Sequence, residues 1–464
     1  MHFVLLNQFY PPEVLPTGVM LEAVAEALVA RGHEVTVVSG RSAVGRGQEE
    51  GRGAYAPPRV PPGASPGGMP QVKGVQVVRL WAPGWGRRKS AVGKVLAYAS
   101  YYAGVGCWLW RRRHRADVMV ALTSPPYLSL LARAGAWWQG GRHAHWVMDL
   151  YPDVMVAHGM LREGSMGDRL LGALARWGMG GKRGGPVLTL GPDMAERLAP
   201  YLPEGRAADW VPLWGTAEGV AGEEGVAALR QQRGWAADET VFLYSGNMGL
   251  GHRFTEVLVA MPLLVAAQPD QSIHLAYFGG GKRQHEIQTA LSSVLSSGRR
   301  NSAGASSTGG NSAGGMSTGG PKLISAGPRQ RPTAHGPLPP ASLAGYVPQE
   351  ELAVHLASGD VHLASLEPAW DGMMVPSKLQ GIFAAGRPVL FTGSRTCSMG
   401  RWILESGGGW VVAPGDVAGH VQAMQEALDP AERAKRGAAA KAFAEQRFDR
   451  EKNVARIVEL LESG

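Results

Sequence analysis

Three consecutive residues, Pro376-Ser377-Lys378, open an apolar stretch of small residues that Gly386-Arg387-Pro388 closes. Pro and Ser favour the first positions of a helix. A helix start leaves backbone N–H groups unpaired at the positive end of the helix dipole. Ser377 adds a hydroxyl there and Lys378 a full charge, so the segment suits a diphosphate. An ordinary helix cap is the plainer reading of the same residues. Two glycine-bearing turns share this placement between an apolar run and a helical one. The first is Ser245-Gly246-Asn247-Met248-Gly249-Leu250-Gly251-His252-Arg253, and the second is Gly279-Gly280-Gly281-Lys282-Arg283. Neither spells a P-loop or a GxGxxG fingerprint. Near the N-terminus, Asn7 leads into a Pro-rich turn that ends at Pro16-Thr17-Gly18, where Gly18 permits close approach to the backbone and Thr17 can cap a helix.

The elements that must position these turns follow an α/β pattern. Short apolar runs predict strands at 2–6, 34–39, 75–80, 117–122, 145–148 and 186–190, with a helix at 18–31. The pattern restarts near residue 239, with strands at 241–244, 273–278, 343–346, 361–365, 389–392 and 410–412. Helices are expected at 255–267, 282–294, 349–358 and 376–385, and a last one at 450–461. Alternation of this kind builds parallel sheets covered by helices. Three of the four turns then fall on the carboxyl edge of one sheet, where ligands bind in open α/β folds. A nucleotide-diphosphate site is the preferred reading, with chance placement of abundant glycine as its rival.

The chain has 464 residues, enough for two or three domains. Its formal charge is +8, but 287–349 holds five basic residues and no acidic one, so the remainder carries 8 − 5 = 3. That excess argues against a nucleic-acid partner. The apolar run 95–110 is shorter than a bilayer span and precedes Arg111-Arg112-Arg113-His114-Arg115. The segment 95–115 reads as a domain helix with a basic end, or as a patch resting on an anionic membrane face. Cys107 and Cys397 suggest neither a disulfide framework nor a zinc site. The start of the chain reads as a first strand rather than a signal peptide, so a cytoplasmic location is expected. Two stretches look like insertions: 42–71, rich in Gly and Pro, and 296–340, rich in Ser, Gly and Pro and containing a tandem decapeptide. The second is expected to be disordered, because its composition buries too little apolar surface.

Several motifs occur together and in order: NQFYPPEVLPTG at 7–18, TSPP at 123–126, VMDLYPDV at 147–154, YSGNMGLGHRF at 244–254 and PSKLQGIFAAGRPVL at 376–390. In these the chain resembles the retaining, metal-independent glycosyltransferases of family 4, especially those of colanic-acid, capsule and O-antigen assembly. The likeness covers nearly everything outside the two insertions. It implies a GT-B architecture, an α/β fold in which two Rossmann-like domains face each other across a cleft. The expected division is an acceptor domain at 1–215 with the insertion 42–71, and a nucleotide-sugar domain at 216–448 with the insertion 296–340. A C-terminal helix at 449–464 is expected to return to the first domain.

By position in the family, the resemblance assigns Gly18, Gly246, Asn247, Gly249 and Ser377 to the donor diphosphate, and Arg253 and Lys378 to its neutralisation. Tyr346, Val347 and Gln380 would border the nucleoside, and Asp149 would lie near the reacting sugar or the acceptor hydroxyl. Asp149 in DLYPD can equally cap a turn. Many members carry two glutamates eight residues apart; here Met373 and Gly381 hold those positions, and Glu367 or Asp371 is the substitute expected at the donor sugar. The implied reaction is transfer of a hexosyl unit from a nucleotide-diphospho sugar to a glycan or lipid-linked acceptor. No cofactor and no metal are expected, and the chain lacks an Asp-x-Asp motif. Rival readings are another GT-B enzyme, such as a nucleotide-sugar epimerase, and a non-catalytic nucleotide-sugar-binding subunit.

Overall fold

The computed structural model describes residues 1–11, 16–40, 74–81, 91–111, 115–215, 221–292, 324–325 and 338–464. The insertion 42–71, the tandem decapeptide and Arg112-Arg113-His114 lie outside the described residues. The strands of the first half are β1 (His2–Leu6), β2 (Glu34–Gly40), β3 (Val75–Leu80), β4 (Val118–Ala121), β5 (Arg142–Trp146), β6 (Gly184–Thr189) and β7 (Asp209–Trp210). They pair in parallel, in the order β3-β2-β1-β4-β5-β6-β7. The second sheet contains β8 (Thr240–Asn247), β9 (Ile273–Gly280), β10 (Ile324–Ser325), β11 (Ala341–Ala344), β12 (Val361–Ser365), β13 (Val389–Thr392) and β14 (Gly409–Val412). Its order is β10-β11-β9-β8-β12-β13-β14, and only the edge pair β10–β11 is antiparallel.

Parallel strands bury both faces, and the side chains divide accordingly. Along β1, Phe3 and Leu5 enter one apolar cluster while Val4 and Leu6 enter another. Along β8, Phe242 and Tyr244 pack on one face, and Val241 and Leu243 on the other. The first cluster runs on from the first sheet through Leu366, Met373 and Phe383 into Phe443 and Ile457. The two sheets are thus joined through apolar packing. The last helix, Arg450–Ser463, lies against the first, Pro16–Ala30. Its Glu462 meets Arg31 at 2.7 Å and His33 at 2.6 Å. Each fully buried aliphatic side chain of that helix contributes about 1.5–3 kcal/mol.

A polar seam also crosses between the halves. Asp193, near the start of Pro192–Leu198, accepts from the Gly372 N–H at 3.2 Å and the Ser398 N–H at 3.0 Å. The Ser398 hydroxyl donates to the same carboxylate. Gly191 leaves room for the Ser398 side chain, which a Cβ there would strike.

Some elements differ from their sequence expectation. The strand expected at 145–148 is Arg142–Trp146. Its His143 and His145 are polar yet buried, which disguises the apolar run. The strand expected at 343–346 is Ala341–Ala344, set by the pairing of Ala341 with Leu275 on β9. The helix expected at 376–385 is only Lys378–Ala384, and Ser377 makes no side-chain capping bond. The insertion expected to be disordered includes β10, which pairs Ile324 with Leu343.

Candidate active site

The carboxyl ends of β8 and β9 bring the two glycine turns side by side. Gly246 has φ of 128° and Gly279 φ of 130°, backbone conformations that side chains rarely adopt. A Cβ on Gly279 would strike the Gly246 carbonyl oxygen, and one on Gly281 would strike that of Met248. These glycines are therefore required where one turn packs on the other. Gly246 has a second constraint: its Cβ would lie 2.8 Å from Lys378 Cε. Gly246→Ala should cost about 1–3 kcal/mol of stability through that backbone strain and displace the lysine, measurable as a lower melting temperature together with weaker nucleotide binding.

Lys378 reaches across the end of β8. Its Nζ donates to the Tyr244 hydroxyl and to the Asn247 carbonyl at 3.2 Å, and it sits 3.9 Å from the centroid of the Tyr244 ring. Among the described residues no carboxylate balances it there. Burial pushes its pKa well below the usual lysine value. A dianion at this point would favour the charged form. Ser377 is exposed at the same helix end, and Asn247 is exposed beside it. Gly249 lies within that loop, with its Cβ position 3.1 Å from Asn247 Nδ2.

Arg253 is placed otherwise. Its Nε donates to Glu256 at 2.8 Å and its Nη1 to Glu367 at 2.8 Å. The bond from Glu256 comes first in raising its already high pKa. Arg283 shares Glu367 at 3.1 Å and also donates to the His252 carbonyl. Glu367 thus bridges two guanidiniums, and both Arg253 and Glu367 act through an ion-pair cluster rather than as free groups. His252, buried beside them, donates from Nδ1 to the Ser365 carbonyl over 2.7 Å. Burial first, and then nearby Lys378, lower its pKa to about 3, so it is neutral at physiological pH.

Asp149 follows β5 by three residues and forms an isolated antiparallel bridge with Met374. The adjacent Leu150 N–H donates to the Met373 carbonyl at 2.8 Å. The first half therefore touches the second immediately before Pro376-Ser377-Lys378. Burial raises the Asp149 carboxyl from 3.8 to about 6. Met373, at the position of a family glutamate, is buried in the shared apolar cluster. Gly18 is buried in the first helix, its Cβ position 3.3 Å from the Phe9 backbone, so the Pro-rich turn of its own half fills that side.

On the other side of β8, Tyr346 donates its hydroxyl to the Gly280 carbonyl at 2.7 Å, and Val347 packs against a cluster containing Phe278 and Ala344. Gln380 is 1% exposed, and neither atom of its amide has a partner among the described residues. An orphaned buried amide calls for a ligand or water to satisfy it. Asp371 lies apart from Lys378, at the polar seam: its carbonyl accepts from Arg197 at 3.3 Å, and burial raises its carboxyl. Sequence reasoning did not select Tyr244, His252 or Arg283. All three belong to the motifs it quoted, but only the folded chain shows that they surround Lys378 and Glu367. Among the described residues no cluster of His, Cys, Asp and Glu could hold a metal ion.

Residues 17–214 match the glycosyl transferase 4-like domain family. The whole chain aligns with solved two-domain glycosyltransferase structures. Anabaena HepE in complex with UDP and glucose superposes with a TM-score of 0.61 at 12% identity, covering 100% of both chains. The fold is GT-B. WaaG, a glycosyltransferase involved in lipopolysaccharide biosynthesis, gives 0.59 at 15% identity over 100% of each chain. Sucrose-phosphate synthase from Thermosynechococcus elongatus gives 0.58 at 14% identity, covering 99% of this chain and 98% of that one. No curated protein matches the sequence.

Proposed function

We propose that this GT-B protein is a retaining, metal-independent glycosyltransferase that moves a hexosyl unit from a nucleotide-diphospho sugar to a glycan or lipid-linked acceptor of cell-surface polysaccharide. The observation that carries the reading is Lys378, an amine with no carboxylate partner among the described residues, at the β8 turn next to the bridge that brings in Asp149. The bond from the anomeric carbon to the diphosphate breaks as the acceptor oxygen bonds to the same face. The acceptor proton passes to the departing phosphate oxygen. Lys378 and the backbone N–H groups around Gly246 stabilise the leaving group, and Asp149 orients the hydroxyl. The family match over residues 17–214 and the likeness to HepE with UDP and glucose support this assignment.

A non-catalytic nucleotide-sugar-binding subunit is the second reading. Met373 and Gly381 favour it, because no carboxylate occupies either position. Thermal-shift titration with UDP, GDP and ADP and their sugars, followed by assay of nucleotide release, separates the two readings. Stabilisation with turnover supports the transferase; stabilisation without turnover on any acceptor favours the subunit.

The acceptor reading places the protein at the cytoplasmic membrane face. No described helix is long and apolar enough to cross a membrane. The helix Ala91–Arg111 carries Trp110, 71% exposed, in its last turn, and Leu109 beside it adjoins Gly135 of Leu128–Gln139, whose Trp137 and Trp138 are 72% and 62% exposed. Arg111 and Arg115, both exposed, follow Trp110 in the chain. Exposed Trp beside Arg suits an anionic interface. Cosedimentation with phosphatidylglycerol vesicles should fall at least fivefold in Trp110→Ala/Trp137→Ala, and neutral vesicles should retain little protein.

A further inference from the structure

Behind the β8 turn lies a buried polar chain that the reaction above does not use. Arg233, which caps the helix Glu223–Gln232, places Nη2 2.8 Å from His355 Nδ1. His355, on Leu352–Ser358, places Nε2 2.9 Å from the Ser245 hydroxyl. Ser245 belongs to β8 and immediately precedes Gly246.

The direction of each bond follows from the groups themselves. A guanidinium has donors only, so His355 Nδ1 must accept. Arg233 is fixed in that role. Its other Nη donates to Ser358 Oγ at 3.0 Å, and its Cζ lies 4.4 Å from the Phe278 ring centroid and 5.0 Å from that of Trp235. A neutral imidazole that accepts at Nδ1 carries its proton at Nε2. Burial, and then the Arg233 charge, push the His355 pKa well below the usual value, which keeps the ring neutral. His355 Nε2–H therefore donates to Ser245 Oγ. A hydroxyl that accepts there has its own hydrogen left to give elsewhere.

Ser245 is half-buried and pairs in register with Phe278, whose side chain shares a cluster with Val347. On β8 it follows Val241 and Leu243 at alternate positions, so it shares the face against which Val347 packs, and it directly precedes the Gly246 turn. We infer that Arg233 and His355 form a positioning relay that makes Ser245 an obligate hydrogen-bond donor to an oxygen on the nucleoside portion of the donor nucleotide. This rests on the nucleotide-sugar reading of the site and adds a residue that selects for the nucleotide. Arg233 and His355 touch no substrate; they act through Ser245.

Calorimetric titration of the full chain with UDP, GDP and ADP, and with the corresponding monophosphates, tests the relay. For whichever nucleotide the wild type binds, Ser245→Ala should weaken binding about tenfold, by the same factor for monophosphate and diphosphate. In turnover, KM for the sugar donor should rise while kcat stays within about twofold. His355→Leu should reproduce the loss. His355→Gln, whose amide can accept from Arg233 and donate to Ser245, should recover most of the affinity. Combining Ser245→Ala with His355→Leu should add nothing, since both remove one interaction. The Ser245→Ala result stands alone if the buried leucine variant fails to fold. Unchanged affinity in Ser245→Ala overturns the relay while leaving the function intact. A loss confined to diphosphates overturns the nucleoside assignment. A wild type that binds none of the nucleotides overturns both the relay and the function beneath it.

Discussion

Lys378→Ala is expected to weaken nucleoside-diphosphate binding by about 10–100-fold, the effect of losing charged hydrogen bonds. Turnover should fall further, by about 10²–10³-fold, because the charge on the leaving group is greatest in the transition state. The fold should survive, since the side chain crosses a turn rather than filling a core. Lys378→Arg should not restore activity, because the path over Gly246 is already narrow and a planar guanidinium needs more room. The depressed lysine pKa gives a second signature. An anion favours the protonated amine, so binding takes up protons, and affinity declines as pH rises through the lysine pKa of the free protein. Calorimetry in buffers of different ionisation enthalpy measures that uptake directly. Binding by Lys378→Ala equal to that of the wild type would refute the placement of the diphosphate.

Asp149→Asn should change activity and stability in opposite senses. Loss of the carboxylate that orients the acceptor hydroxyl should lower turnover by about 10²-fold. The wild type should show an acid limb in kcat/KM near pH 6, absent from the variant. Its folded-state pKa lies above the unfolded value of 3.8, so the native protein holds the proton more tightly. Native stability therefore falls as pH rises from about 4 to about 6, and the penalty is complete above that range. Asparagine cannot ionise, so the variant should match the wild type below pH 4 and exceed it by about 2–3 kcal/mol at pH 7. Denaturant unfolding across that range measures the difference. A variant less stable than the wild type at pH 7 would show that Asp149 is a structural cap.

Parallel-sheet architecture was legible because buried strands such as Val389–Thr392 are almost wholly apolar and lie between turn residues. The helix Thr255–Ala267 appears at the residues its periodicity predicts. Strand register was harder to read. Ala341–Ala344 has little pattern of its own and takes its place from β9. Within the site, motif order indicated which turns approach one another, and Lys378 does lie across the β8 turn. Side-chain partners could not be read this way. Arg253 resembles a free cation in sequence, yet Glu256 stands one helical turn away and Glu367 arrives from 114 positions along the chain. Glycine was ambiguous for a similar reason: Gly279 and Gly281 answer to neighbouring backbone, which composition cannot reveal.

The Asp193 seam constrains how the cleft can widen or narrow. Gly372 and Ser398 are both tethered to one carboxylate, and Gly191 packs directly against Ser398. Sliding one sheet past the other would tear these bonds together and strand a buried charge. Swinging about Asp193 leaves them whole while the opposite rim travels furthest. The seam therefore resists sliding more than it resists rotation about Asp193, so substitutions there should change how quickly product escapes, read in single-turnover against steady-state rates, more than how the sugar is chosen.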